Sequence, residues 1–242
     1  ADRLLPRQQP AGPRRADAIT PFTDPQAVAR YAEGPVRQVP GFLDLQKMAA
    51  ILLAERAGDT AEILILGAGG GLELRAFADW QPGWRFTGVD PSADMLALAA
   101  KVAAPHMPRI DLIEGDIDDA PAGLFDAACC LLVLHFIPPE DRVPTLRAIR
   151  ARLKPGAPLV LAHHSIPQDP AEKARWLGRY AAFAGASGVP LDQAKKGAAA
   201  IGERLPITAP SEDEPALRAA GFDGISLFYA AFTFRGWVAY AA

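Results

Sequence analysis

Ile63-Leu64-Ile65-Leu66-Gly67-Ala68-Gly69-Gly70-Gly71, followed 23 residues after Gly67 by Asp90, is the stretch that decides the fold. Four apolar residues read as a buried strand, and the glycines that follow force a tight turn. Asp90 closes a second short strand, Phe86-Thr87-Gly88-Val89. A nucleoside fits between these features. Glycine lets the backbone approach it closely, and a carboxylate at the next strand end can hold both ribose hydroxyls.

Outward from this pair, strands and helices alternate. Strands are expected at 62–66, 85–89, Ile110 to Glu114, Phe125 to Leu134 and Pro158 to His163. Helices are expected at Leu72 to Asp79, Ala93 to Ala103 and Pro139 to Arg152. Alternation of this kind implies a parallel sheet covered by helices. The run Ala127-Ala128-Cys129-Cys130-Leu131-Leu132-Val133-Leu134 is continuously apolar, as a central strand buried on both faces should be.

Upstream, Pro25 to Tyr31 and Leu43 to Ala57 read as helices, joined by a turn-rich connector at 34–41. Residues 1–22 show no period and read as a flexible arm before a single domain at 23–242, whose segment 23–60 holds the N-terminal helices. Downstream, 169–205 carries helical stretches, and a helix near Glu212 to Ala220 ends at Gly221. Two strands follow, Gly224 to Thr233 and Gly236 to Ala241. Their connector is too short for a crossover, so they form an antiparallel hairpin.

Composition excludes several classes. A net charge of -3 offers no general attraction to nucleic acid. No apolar run is long enough to span a membrane, and the arginine-bearing N-terminus lacks the apolar core of a secretory signal. Cys129 and Cys130 are strand neighbours pointing to opposite faces, so no disulfide is expected and a reducing cytoplasm fits.

The order of motifs resembles the class I S-adenosylmethionine-dependent methyltransferases over roughly residues 40–242. The resemblance rests on Leu66-Gly67-Ala68-Gly69-Gly70-Gly71, Val89-Asp90-Pro91-Ser92-Ala93-Asp94-Met95-Leu96, Glu114-Gly115-Asp116-Ile117, Phe125-Asp126, and Leu153-Lys154-Pro155-Gly156. It implies a Rossmann-like α/β fold: a seven-stranded, mostly parallel sheet with an antiparallel last strand beside strand five, and helices on both faces. It also implies S-adenosyl-L-methionine as cofactor and S-adenosyl-L-homocysteine as product.

The same resemblance assigns residues. Gly67, Ala68 and Gly69 pass under the methionine part. Asp90 takes the ribose hydroxyls, and Pro91 and Met95 pack by the adenine. Asp116 accepts from the adenine amino group with the Ile117 amide nearby, and Leu132 and Val133 lie near the sulfonium. Plainer roles stay open: Asp90 as a helix cap, Asp116 as a turn former, Met95 as core. One departure stands out. Many members carry an acid two residues before the first glycine, where this chain has Ile65; the cofactor's amino group must then meet backbone carbonyls or an acid supplied from elsewhere, for which Glu73 is a candidate. Val39-Pro40-Gly41-Phe42 and Phe228-Tyr229-Ala230-Ala231-Phe232-Thr233-Phe234 resemble the carboxy-S-adenosylmethionine synthase branch, which serves tRNA modification. That branch holds its cofactor's extra carboxylate with an arginine, whereas 188–203 offers only Lys195 and Lys196. Ordinary S-adenosylmethionine is therefore expected, with Arg37 near its carboxylate.

Methyl transfer needs alignment, which can supply ~7–11 kcal/mol, and a base only when the acceptor must lose a proton. His135 follows strand four on the rim where an acceptor approaches and can serve as that base or simply pack. His163 and His164 end strand five and point opposite ways, so one at most faces the pocket; His164 is the second catalytic candidate. His106 reads as a surface loop residue, and no metal site is expected. Residues 169–205 read as an acceptor lid in which Trp176, Tyr180 and Phe183 share a face, as packing or as a substrate wall.

The leading expectation is methyl transfer to a small-molecule acceptor, with nucleic acid and membrane not expected as partners and the oligomeric state, homodimer included, left open. Carboxy-S-adenosylmethionine chemistry and a non-catalytic cofactor-binding protein are the alternatives. A nicotinamide enzyme is disfavoured, because the third glycine of its fingerprint would fall at Leu72.

Overall fold

The computed structural model describes residues 34–242. The flexible arm and the helix expected at Pro25 to Tyr31 lie outside the described residues. The chain runs α1 (Gly34–Gln38), α2 (Phe42–Ala57), β1 (Ala61–Leu66), α3 (Leu72–Trp80), β2 (Trp84–Asp90), α4 (Ala93–Val102), β3 (Ile110–Glu114), β4 (Ala127–Leu131), α5 (Pro139–Ala151), β5 (Pro158–His164), α6 (Pro170–Ala186), α7 (Leu191–Arg204), α8 (Pro210–Ala219), β6 (Phe222–Ala231) and β7 (Phe234–Ala241).

The seven strands lie in the order β3-β2-β1-β4-β5-β7-β6. Strands β1 to β5 pair in parallel, and β7 is antiparallel to both β5 and β6. The fold expected from the sequence is present, hairpin included. Strand order reverses between β1 and β4, and the crevice beyond the carboxyl ends at such a switch point is where open α/β sheets bind ligands.

Strand alternation divides the core. Ile63, Ile65, Phe86, Cys129 and Val160 face α2, α3, α4, α6 and α7. Leu64, Leu66, Val89, Cys130, Leu159 and Leu161 face α5 and α8. The two cysteines thus enter opposite layers and are free thiols. Burial pushes both thiols well up, that of Cys130 to about 12.

Three local expectations are corrected. The connector at 34–41 contains the short helix α1, because Pro35 sits in its first turn with a preset φ; only Val39-Pro40-Gly41 turns, with Gly41 at φ 66. Strand four is shorter than 125–134: Leu132 adopts φ 60 and ends it, and Leu134–Phe136 is a 3-10 turn. His106 is half-buried rather than a loose loop residue. Its Nε2 lies 2.6 Å from Asp79 Oδ1, tying α3 to the segment before β3.

Candidate active site

At the β1–β3 half of the sheet edge, three turns are bound into one unit by backbone amides. Gly67 and Ala68 N–H both donate to Val89 O, at 2.8 and 3.0 Å, and Gly115 N–H donates to Asp90 O at 3.1 Å. Gly69 N–H donates to Asp90 Oδ2 and Ser92 N–H to Asp90 Oδ1, each at 2.9 Å. The glycines are demanded by space. A Cβ on Gly67, whose φ is +78, would sit 2.1 Å from Val133 Cγ2, and one on Gly69 would sit 2.5 Å from Asp90 Oδ2.

Asp90 therefore lies at the centre of the three turns. Its two accepted bonds use half of the acceptor sites a carboxylate offers, which leaves one on each oxygen for a diol. Burial raises its pKa, opposed by the Ser92 and Gly69 amides. Capping of α4 falls instead to Ser92, whose Oγ accepts from Met95 N–H.

The remaining residues assigned to the cofactor divide into two sets. Met95 and Val133 pack against the glycine turn, beside Gly69 and Gly67, while Ile117 and Leu132 belong to the two core layers. Met95 is buried with its carbonyl on Gly70 N–H, Ile117 is buried in the core, and Leu132, left-handed at φ 60, donates its N–H to Ala162 O. Pro91 is half-buried next to Asp90. Asp116 already accepts from Asp118 N–H at 2.8 Å as the cap of the short turn Ile117–Asp119. Arg37 is exposed on α1. Glu73, by contrast, is buried in the first turn of α3, with its carboxyl pushed up to about 7 by burial.

The β4–β5–β7 half is built from side chains. His135 is buried in the turn after β4, and its Nδ1 accepts from His164 N–H at 3.2 Å. That bond assigns the proton of the neutral ring to Nε2. Burial, followed by the neighbouring His164, His163 and Arg142, holds the His135 pKa well below its ordinary value, so the ring stays neutral. As a neutral donor at Nε2 it has no open basic nitrogen; acting as a base would cost it the His164 bond.

His164 sits behind it, stacked on Phe234 at 4.1 Å between centroids, with Nδ1 2.9 Å from Thr233 Oγ1 and Tyr180 against its edge. Burial lowers its pKa to about 3. His163 points the other way, to Asp213 at 3.3 Å, and Ser165 Oγ donates to the same carboxylate at 2.5 Å. Of the helix α6 aromatics, Tyr180 packs on Phe234, Phe183 on Phe232, and Trp176 lies under the guanidinium groups of Arg179 and Arg235.

Asp213, Ser165 and Arg142 were not flagged by their sequence. Asp213 hides in the acidic run Glu212-Asp213-Glu214, and the one signal was its four-residue spacing from buried Leu217. Arg142 is buried between Ile137 O, Pro206 O and Thr208 Oγ1. The motifs Phe125-Asp126 and Leu153-Lys154-Pro155-Gly156 lie at the opposite edge, where Lys154 Nζ meets Asp126 Oδ1 at 2.5 Å. They anchor β4 and take no part in the crevice.

Residues 63–156 match the model of a methyltransferase domain. A carboxy-S-adenosyl-L-methionine synthase from Chromohalobacter salexigens is 31% identical over 233 residues, covering 93% of this chain and 85% of that protein. The chain belongs to the class I S-adenosylmethionine-dependent methyltransferase family. A second family member, a trans-aconitate 2-methyltransferase from Streptomyces avermitilis, is 32% identical over 68% of this chain and 62% of its own. The fold matches magnesium protoporphyrin IX methyltransferase from Synechocystis, solved with bound S-adenosylhomocysteine, at TM-score 0.64 and 16% identity over 90% of this chain and 95% of that one. Other methyltransferases of this fold are longer chains, of which this one spans 59% and 61%.

S-adenosylmethionine is the cofactor of this family, and the residues present suit it. Asp90 has free acceptor sites for a ribose, and Gly67 and Gly69 leave no room for a Cβ in the turn beside it. The buried Gln46 Nε2 beside Glu73 has no partner. When bound, the cofactor supplies an electrophilic methyl group on a sulfonium.

Proposed function

We propose that the chain transfers the methyl group of S-adenosylmethionine to a small-molecule acceptor at the β4–β5 side of the crevice, under α6 and α7. The observation that carries this reading is Asp90, on which the turns after β1, β2 and β3 converge. In this reading Gly67, Ala68 and Gly69 pass under the methionine, Asp90 holds the ribose, and Pro91, Met95, Asp116 and Ile117 border the adenine. Leu132 and Val133 border the sulfur, and Arg37 approaches the cofactor carboxylate. His135 presents its Nε2–H to the acceptor and His164 holds the His135 ring. The net charge of -3 argues for a small acceptor over nucleic acid. Free, buried cysteines suit a reducing compartment such as the cytoplasm, and no described helix is long and apolar enough to cross a membrane.

Carboxy-S-adenosylmethionine chemistry is the second reading, favoured by the 31% identical relative. Against it, the segment expected to supply an arginine offers Lys195 and Lys196, both exposed on α7. Calorimetry with S-adenosylmethionine, then a labelled-methyl screen over small hydroxyl, amine and carboxylate acceptors, tests the first reading. Mass spectrometry of the recovered cofactor reads out the second. Binding with no methyl transfer to any acceptor would leave a non-catalytic role. His135→Ala should lower turnover about tenfold, the worth of one orienting hydrogen bond, with cofactor affinity unchanged. A loss of ~10²–10⁴ would instead restore the base role.

A further inference from the structure

Glu73 is a buried acid that pairs with no cation among the described residues. It lies in the first turn of α3, two residues beyond Gly71, which opens the helix at φ +68. Its charge acts on Cys129 of β4, and Cys129 is the register partner of Ile65 in β1. The carboxyl thus sits where β1 and β4 part, on the layer that carries Ile65. From α2, the Gln46 amide favours its ionised form, yet the buried Gln46 Nε2 completes no hydrogen bond. From β4 it meets the Cys129 thiol, kept neutral by burial. On α3 itself, Arg75 and Asp79 are exposed and pair with each other on the opposite side.

A buried acid beside a buried amide whose Nε2 completes no hydrogen bond suits an α-amino acid head group. In the reading proposed above, Asp90 and the β3 turn take the nucleoside. That leaves the amino-acid end of S-adenosylmethionine for β1 and β4, since the sulfonium has no N–H to donate. We propose that Glu73 takes the cofactor's ammonium and Gln46 Nε2 donates to the same head group, so that binding expels a proton from the Glu73 carboxyl to solvent. The inference rests on the cofactor reading. The sign follows from the carboxyl's raised pKa of about 7: the acid is mostly protonated at pH 6, must ionise to pair, and binding tightens as pH rises.

Calorimetry on the full chain tests this, titrating S-adenosylhomocysteine at pH 6, 7 and 8 in two buffers of different ionisation enthalpy. Most of a proton should leave per ligand at pH 6 and almost none at pH 8, with affinity about tenfold higher at pH 8. The probe 5′-methylthioadenosine, which lacks the amino-acid end, should release far less. Glu73→Gln should bind S-adenosylhomocysteine more weakly and without pH dependence, whereas Asp90→Ala should bind more weakly yet keep the release. Tight S-adenosylhomocysteine binding with no proton release, or equal release with both probes, overturns the Glu73 assignment and leaves the cofactor reading standing. Absence of binding at every pH overturns both. The two-probe comparison needs only the unsubstituted chain, so it holds even if a variant misfolds.

Discussion

At the β1–β3 half of the sheet edge, backbone amides of Gly67, Ala68, Gly69 and Gly115 converge on Val89 and Asp90. At the β4–β5–β7 half, the convergence is of side chains: His135 and His164 on one face, His163, Ser165 and Asp213 on the other. A ligand common to many enzymes can be held by a backbone that any sequence of the right turns supplies. An acceptor particular to one enzyme needs side chains, and here two of them, His135 and His164, are kept neutral chiefly by burial. The difference teaches where substitution is tolerated: the first half breaks through shape, the second through protonation and unpaired polar groups.

Shape gives the largest expected effect. Gly67→Ala forces φ +78 on an L-residue and drives a methyl into Val133. It should cost about 2–5 kcal/mol in chemical unfolding from the left-handed backbone and the overpacking together, and abolish measurable cofactor binding. Affinity within threefold of the parent would show that the first half is not rigid.

Protonation comes next, and it crosses the boundary between the halves. Glu73 has its folded pKa raised from 4.5 to about 7, so its contribution is present at low pH and lost as pH rises toward 7. In the unloaded chain Glu73→Gln should raise unfolding stability by about 3 kcal/mol at pH 8 and by less than about 1 kcal/mol at pH 5. An unaltered denaturation midpoint at pH 8 would mean that the carboxyl is solvated.

The acid side of the second half has the opposite sign. His164 has a folded pKa lowered to about 3, so the unfolded chain takes up protons that the folded chain refuses once pH drops below 6.5. Its share of stability falls by about 2 kcal/mol between pH 7 and pH 5. Glu73 gains a similar amount over the same interval, while His135, held neutral by burial as well, loses in the same direction as His164. On acidification from pH 7 to pH 5 the stability of Glu73→Gln should therefore fall more steeply than that of the parent, and that of His164→Gln less steeply. Parallel profiles for the two variants would dissolve the distinction.

Much of the first half was legible, because its determinants are local. The β1 pattern sends Ile63 and Ile65 to one layer and Leu64 and Leu66 to the other, and the glycine run with Asp90 fixes the turn and the adjacent strand end. The second half was not, because its partners meet only in the tertiary fold. Asp213 is 48 residues from Ser165, and Thr233 is 69 from His164. Nor does any local rule put Leu132 at φ 60, the feature that ends β4 early. The helix at Gly34–Gln38 was lost to its own glycine and proline, which punctuate turns as readily as they open helices.

Asp90→Ala is the smallest effect and the sharpest comparison. It removes the acceptor of Gly69 and Ser92 N–H without touching the backbone bonds from Gly67 and Ala68 to Val89. The turn should therefore survive, with about 1 kcal/mol lost in unfolding. Cofactor affinity should fall more than tenfold, above about 1.4 kcal/mol, since two hydroxyl contacts go with the carboxylate. Asp90→Asn separates the two jobs: one oxygen still accepts, but the amide nitrogen cannot accept from the second N–H. If the ribose reading holds, Asn should bind between Ala and the parent. Equal affinity for all three would confine Asp90 to tying the turns together.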